Sequence, residues 1–228
     1  MNRINKNRLI KLAGAKWLSV FPKSNNIRFL LYKKLLGLKH KASIHSNVMI
    51  GADHRTPKGF DKINESGIVI GKDFLVNEHT LLDTTGNLII GNGVSIADHV
   101  SVFTHHHDIF QRKNEYHGVV IASTTKIGDG VNIGSNAMVF DSCTQIGRFA
   151  SVGAGAYVRS NIPPYSIVIG NPAKIIGFKF TPDEMEAFEL ERYDENERYS
   201  PDKYRKVYKK YFSDAVSEIN KFVKLKVF

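Results

Sequence analysis

Three of the chain's nine histidines stand side by side in Thr104-His105-His106-His107-Asp108. An imidazole titrates near neutrality, so it can take a proton from a reacting group or, when neutral, bind a metal. In an extended segment alternate side chains share a side, which would aim His105 and His107 the same way and would suit two metal ligands. Further on, Gly170-Asn171-Pro172-Ala173-Lys174-Ile175-Ile176 presents a lysine that can meet a phosphate through a charge-assisted contact. A single cysteine, Cys143, leaves no internal disulfide and no C-x-x-C pair for redox work. The sequence also lacks G-x-G-x-x-G, and with it the signature of a Rossmann nucleotide-binding domain.

The elements that must carry these residues are written in a six-residue step. Ile44 and Ile50 begin it; Ile70, Val76 and Leu82 continue; then come Ile90, Ile96 and Val102; Ile121, Ile127, Ile133 and Val139; and Ile146, Val152 and Val158. A small residue often follows the aliphatic one, as at Gly71, Gly91, Gly128, Gly134 and Gly153. A second modest side chain comes four residues after it, as at Thr80, Val94, Val100, Val131, Ala137 and Cys143. Six fits neither the 3.6 of an amphipathic helix nor the longer units of α-solenoids. It suits short strands that turn a corner every six residues, three faces to a coil, with aliphatic ladders inside and neighbouring strands about 4.8 Å apart. An alternating sandwich is the competing architecture, but so many positions in phase argue against it.

Helices flank the coils. Ile27, Leu30, Leu31, Leu35 and Leu38 lie at helical spacing, and a weaker stripe runs through Leu9, Leu12, Ala13, Trp17 and Val20. After the coils, Thr181-Pro182-Asp183-Glu184 combines an N-cap hydroxyl, a first-turn proline and a capping-box acid, and Ser200-Pro201-Asp202 repeats the start signal before Tyr204, Val207, Tyr208, Tyr211, Val216, Ile219 and Phe222. The reading is a basic helical segment over 1–41, a coil domain over 42–178 and a helical extension over 179–228. The six-residue step breaks most widely between Val102 and Ile121, so the histidine row opens an extruded loop over 104–120, where a solenoid places function.

Charge narrows the partners. Residues 1–52 hold eleven of the 32 Lys and Arg and no Asp or Glu, leaving 21 basic against 22 acidic residues for the rest of the chain. An anionic surface, a lipid headgroup or a phosphorylated substrate fits that segment. Nucleic acid does not, because no finger spacing, aromatic sheet motif or G-x-x-G clamp accompanies the charge. No apolar run approaches the roughly 18 residues of a membrane span, and no secretory signal is evident, so a cytoplasmic protein is expected.

The repeat and the Gly170–Ile176 motif together resemble the hexapeptide-repeat acyltransferase superfamily. The resemblance covers residues 42–178 and implies a mainly β protein, a left-handed parallel β-helix with N- and C-terminal helices. It implies direct acetyl transfer from acetyl-CoA to a sugar hydroxyl, with His107 as general base and no metal. Asp108 stands where sugar acetyltransferases often have proline. Asn77, thirty residues before His107, would help hold the acceptor hydroxyl, with Asp83 and His105 as further acceptor-binding residues. The backbone at Ser135 and Ala154 would line the pantetheine slot, and Lys174 would meet a CoA phosphate. The same resemblance implies homotrimers with shared sites, and Leu35-Leu36-Gly37-Leu38-Lys39 after a basic segment resembles polysaccharide O-acetyltransferases. The rivals are an amino-sugar N-acetyltransferase, a noncatalytic solenoid scaffold and a zinc-dependent carbonic anhydrase; for the last, His99, His105 and His107 miss the ligand spacing of five, and His40 and His45, which have it, lie before the main prism.

Overall fold

The computed structural model describes residues 25–51, 60–108, 110 and 119–211. The stripe through Leu9 to Val20 and the positions Val216, Ile219 and Phe222 lie outside them.

Three faces form the coil. The first holds β1 (Ala42–Ile44), β4 (Phe74–Val76), β7 (Ser95–Ile96), β12 (Asn132–Ile133), β15 (Ser151–Val152) and β17 (Ser166–Ile169), closed by β18 (Lys174–Phe178). On the second lie β2 (Met49–Gly51), β5 (Leu81–Asp83), β8 (Ser101–Val102), β13 (Met138–Val139) and β16 (Tyr157–Val158). The third has β3 (Ile68–Ile70), β6 (Asn87–Ile90), β11 (Thr124–Ile127) and β14 (Gln145–Ile146). Pairing within the faces is parallel from coil to coil, and only β17 with β18 runs antiparallel there.

The registers explain the six-residue step. Ile44 pairs with Val76, Val76 with Ile96, Ile96 with Ile133, and Ile133 with Val152, so each aliphatic residue lands on its counterpart one coil away. All are buried, as are the second-column residues Val48, Val94, Val100, Val131, Ala137, Cys143, Ala150 and Ala156. Thr80 and Thr125 share that buried column; Thr80 stays satisfied by donating its hydroxyl to the Ala97 carbonyl at 2.9 Å and accepting the Val100 amide at 3.2 Å. Each fully buried aliphatic side chain contributes about 1.5–3 kcal/mol, a stabilisation available only once a neighbouring coil covers it. The small residue after each aliphatic answers to close approach: a Cβ on Gly128 would sit 2.6 Å from the Arg148 amide nitrogen in the next coil.

Helix α1 (Asn25–Leu36) closes the N-terminal end and stops at Gly37, whose φ of 68° is left-handed. Its inward face differs from the stripe read in the sequence. Tyr32 is fully buried and donates its hydroxyl to the Val48 carbonyl at 3.1 Å, flanked by Phe29, Leu35 and Leu36, whereas Ile27, Leu30 and Leu31 face outward. Counting aliphatics alone missed that a tyrosine with a reachable carbonyl can seed the buried face.

At the other end, α2 (Pro182–Arg192) starts with the expected capping box at Thr181 and Glu184, and α3 follows over 201–211. Together they bury an aromatic cluster of Tyr165, Tyr204 and Met185 with Phe149, Phe178, Phe180 and Phe188 around it. Glu189 lies inside, accepting from Arg148 at 3.2 Å, from the Tyr199 amide at 2.8 Å and from the Tyr165 hydroxyl.

Candidate active site

Two strands pair within the wide break of the repeat. Strands β9 (His105–Asp108) and β10 (Val119–Ala122) pair antiparallel, with His105 opposite Ala122, His106 opposite Ile121 and His107 opposite Val120. Ile121, which the repeat places in an interior ladder, belongs to this strand pair and is partly exposed. The interior resumes instead at Thr125 and Ile127 on β11. The extra strand has shifted the pairing, and the aliphatic at the right interval fell outside the prism.

The paired strands spring from the corner between the second and third faces, and each adjoining coil supplies a carboxylate to them. Asp83, one coil earlier, meets His105 Nδ1 at 2.7 Å. Asp141, one coil later, meets His106 Nδ1 at 2.5 Å. The two pairs differ in setting: the His105 and Asp83 side chains are 17% and 6% exposed, while His106 is half exposed. His107 returns to the side of His105, and the two rings meet edge to face with centroids 5.3 Å apart.

Asp83 is saturated. Its Oδ1 accepts from the Thr85 amide at 2.9 Å and hydroxyl at 2.6 Å; its Oδ2 accepts from the Thr104 amide at 2.7 Å, the Thr104 hydroxyl at 2.9 Å and His105. Burial alone would raise its carboxyl, but the bonds donated by His105, Thr85 and Thr104 outweigh burial and hold it below the usual carboxylate range.

The remaining expected residues lie at a different corner, between the first and second faces. Asn77 follows β4, Ser135 follows β12 and Ala154 follows β15. The amide of Gly155 donates to the Ser135 carbonyl at 2.9 Å, so Ser135 and Ala154 occupy adjoining coils of one edge. Asn77 lies two coils below Ser135, roughly 10 Å along the axis. The chain then reaches Gly170, whose carbonyl accepts the Tyr157 amide at 2.9 Å, and the exposed Lys174 opens β18 at the same end. Within one chain the structure therefore joins His105, His107 and Asp83, and separately aligns Asn77, Ser135, Ala154 and Lys174 at another corner. The second face lies between them.

Two features escaped sequence reading. His106 with Asp141 gave no signal, because the partners are 35 positions apart and only the coil register joins them. His79 and His99 stack at 4.9 Å on the Asn77 corner, both with left-handed φ, at 58° and 59°. Their position two residues after Asn77 and after its counterpart Ala97 was the only clue. Cys143 is buried, which pushes its thiol up to about 11 and makes it a packing residue. Among the described residues, no group of three or more His, Cys, Asp or Glu could hold a metal ion, and no helix is long and apolar enough to cross a membrane.

No family model matches the sequence. The chain is 33% identical to serine acetyltransferase 4 of Arabidopsis thaliana over 49% of its own length, and 35% identical to galactoside O-acetyltransferase of Escherichia coli over 49%. It spans only 30% and 54% of those two proteins. A protein of Saccharomyces cerevisiae named as an acetyltransferase is 29% identical over 76% of this chain and 81% of its own. Among solved structures, a hexapeptide-repeat acetyltransferase of Vibrio cholerae complexed with acetyl-CoA superposes with a TM-score of 0.64 at 21% identity, covering 77% of this chain and 88% of that one. A maltose O-acetyltransferase of Clostridium difficile gives 0.58 at 21% identity, covering 78% and 90%. With its step of six and its three-faced coil, the chain has the left-handed parallel β-helix fold of these hexapeptide-repeat acetyltransferases, and its sequence is similar to those of acetyltransferases.

Proposed function

We propose that the protein transfers an acetyl group from acetyl-CoA directly to a hydroxyl of a sugar, in the making of a surface glycan or polysaccharide, with His107 as general base. The observation that carries this reading is the histidine row on β9, set out from the prism by paired strands, with His105 held by the Asp83 carboxylate beside His107. A sugar hydroxyl is a poor nucleophile at neutral pH, and a positioned imidazole removes its proton as the oxygen attacks the thioester carbon. The C–S bond then breaks, and the proton passes from His107 to the departing sulfur. No acyl-enzyme is required.

Acetyl-CoA would lie along the edge that carries Ser135, Ala154 and Lys174. A backbone amide at Ser135 would face the thioester oxygen, and Lys174 would face a phosphate. Asn77 would hold the acceptor on the same edge. Because these residues and His107 lie at different corners of one chain, a site that uses all of them needs a second copy. That separation supports a homotrimer with a site at each boundary. We further propose a cytoplasmic protein resting on an anionic membrane surface: α1 turns Ile27, Leu30 and Leu31 outward beside Lys33 and Lys34. The reading is tested by incubating the pure protein with acetyl-CoA and a panel of sugars, with release of free CoA and product mass as readouts.

A further inference from the structure

His105 was expected to touch the acceptor, and so was Asp83. The geometry gives them another task. Both oxygens of the Asp83 carboxylate are taken by donors from Thr85, Thr104 and His105, and its side chain is 6% exposed, which leaves no edge for a sugar hydroxyl. A charged carboxylate only accepts, so His105 Nδ1 carries a proton, and a neutral His105 ring then keeps its lone pair on Nε2. The next residue on that side of β9 is His107, whose ring meets His105 edge to face.

We infer that Asp83 and His105 are a positioning pair for the base of the acetyl transfer, with Asp83 fixing the His105 tautomer and His105 fixing and stabilising His107. The inference rests on the acetyl-transfer reading above. As His107 accepts the hydroxyl proton it becomes an imidazolium. With His105 neutral, its ring and the Asp83 charge behind it present one net negative charge to that new positive one, on a partly buried side of the strand where solvent screens it weakly. Neither Asp83 nor His105 gains or loses a proton in the balanced step; the hydroxyl proton goes to His107 and then to sulfur.

The molecule carries its own control. His106 and Asp141 make the same kind of contact on the opposite side of β9, in a more exposed setting. A pair that merely pins the strands would lower thermal stability without a selective loss of kcat. A positioning pair would matter only on the side of His107.

The test compares Asp83→Asn with Asp141→Asn in the full chain, by steady-state kinetics with acetyl-CoA and a sugar that the parent protein acetylates, alongside thermal melting. Asp83→Asn should lower kcat by about 10²-fold or more, the scale of a mispositioned general base, with the acetyl-CoA KM unchanged. Asp141→Asn should stay within about threefold, the expectation for an exposed pair. Imidazole nitrogen NMR, with the His105 signal assigned by its loss in His105→Gln, should find Nδ1 protonated in the parent and that state lost in Asp83→Asn. Should Asp83→Asn fail to fold, His105→Gln takes its place and should show the same loss of kcat at unchanged donor KM. Full turnover in either variant, an equal fall in Asp141→Asn, or an unprotonated His105 Nδ1 in the parent overturns the inference. If the parent protein acetylates nothing, the acetyl-transfer reading falls, and the nitrogen signal still decides the tautomer.

Discussion

Glu189→Ala should destabilise the protein without touching its chemistry. The Glu189 side chain is 2% exposed and accepts from Arg148, from the Tyr199 amide and from the Tyr165 hydroxyl. Burial, and after it the hydrogen bond to Glu189, pushes the Tyr165 hydroxyl far above the ordinary phenol range, so it remains a donor at any working pH. Alanine would leave three donors facing a gap. Removing one partner of a fully buried ion pair costs about 3–5 kcal/mol, but Arg148 is 23% exposed and recovers some hydration. The expected loss is therefore about 2–4 kcal/mol, most of it from the stranded Tyr165 hydroxyl and Tyr199 amide. For a chain of this length that lowers Tm by roughly 5–15 °C. Tyr165→Phe removes one donor and should cost about 1 kcal/mol, with the double variant less destabilised than the sum. Denaturant titration and thermal melting give the values, and acetyl transfer measured well below Tm should match the parent. A loss under about 1 kcal/mol, or a fall in turnover while the chain is folded, would refute this account of the cap.

His107→Ala should lower transfer by about 10²- to 10⁴-fold while leaving acetyl-CoA binding nearly intact, as followed by release of free CoA and by direct titration. Lys174→Ala should raise the acetyl-CoA KM by about tenfold with the acceptor KM steady, since an exposed charge-assisted contact to phosphate is worth about 1–2 kcal/mol. In liposome flotation at low salt, the full chain should float with anionic and not neutral vesicles. Ile27→Glu with Leu30→Glu should abolish flotation, and Lys33→Ser with Lys34→Ser should weaken it by about 1 kcal/mol per charge. Substitutions are the right tool there, because Tyr32 and Leu38 are core residues and removing α1 would open the prism.

The prism was legible because its rule is local. A residue six on from an aliphatic turns to the same interior within its own coil, and Ile70 to Val102 are buried at each step outside the breaks. Ile121 obeyed the interval and not the fold, because the interval says nothing about whether a strand pairs with a coil or with β9. In α1, Ile27, Leu30 and Leu31 matched a helical stripe, yet the burial went to Phe29, Tyr32 and Leu36, which the geometry of the underlying β1 and Val48 selected. The histidine row was visible as composition. Its division into a buried pair with Asp83 and an exposed pair with Asp141 was not, since each carboxylate comes from a different coil. Asp83 was picked out from its slot in the repeat, but the register alone shows that Thr85, Thr104 and His105 use up its oxygens.

Mass analysis of the products from pure protein, acetyl-CoA and a panel of sugars and amino sugars separates ester from amide transfer. Transfer to a sugar hydroxyl through His107 predicts one ester-linked acetyl group per CoA released, and its loss in His107→Ala while the variant still binds acetyl-CoA. Release of CoA with no sugar product, acetylation confined to amines, or full turnover in His107→Ala would contradict it.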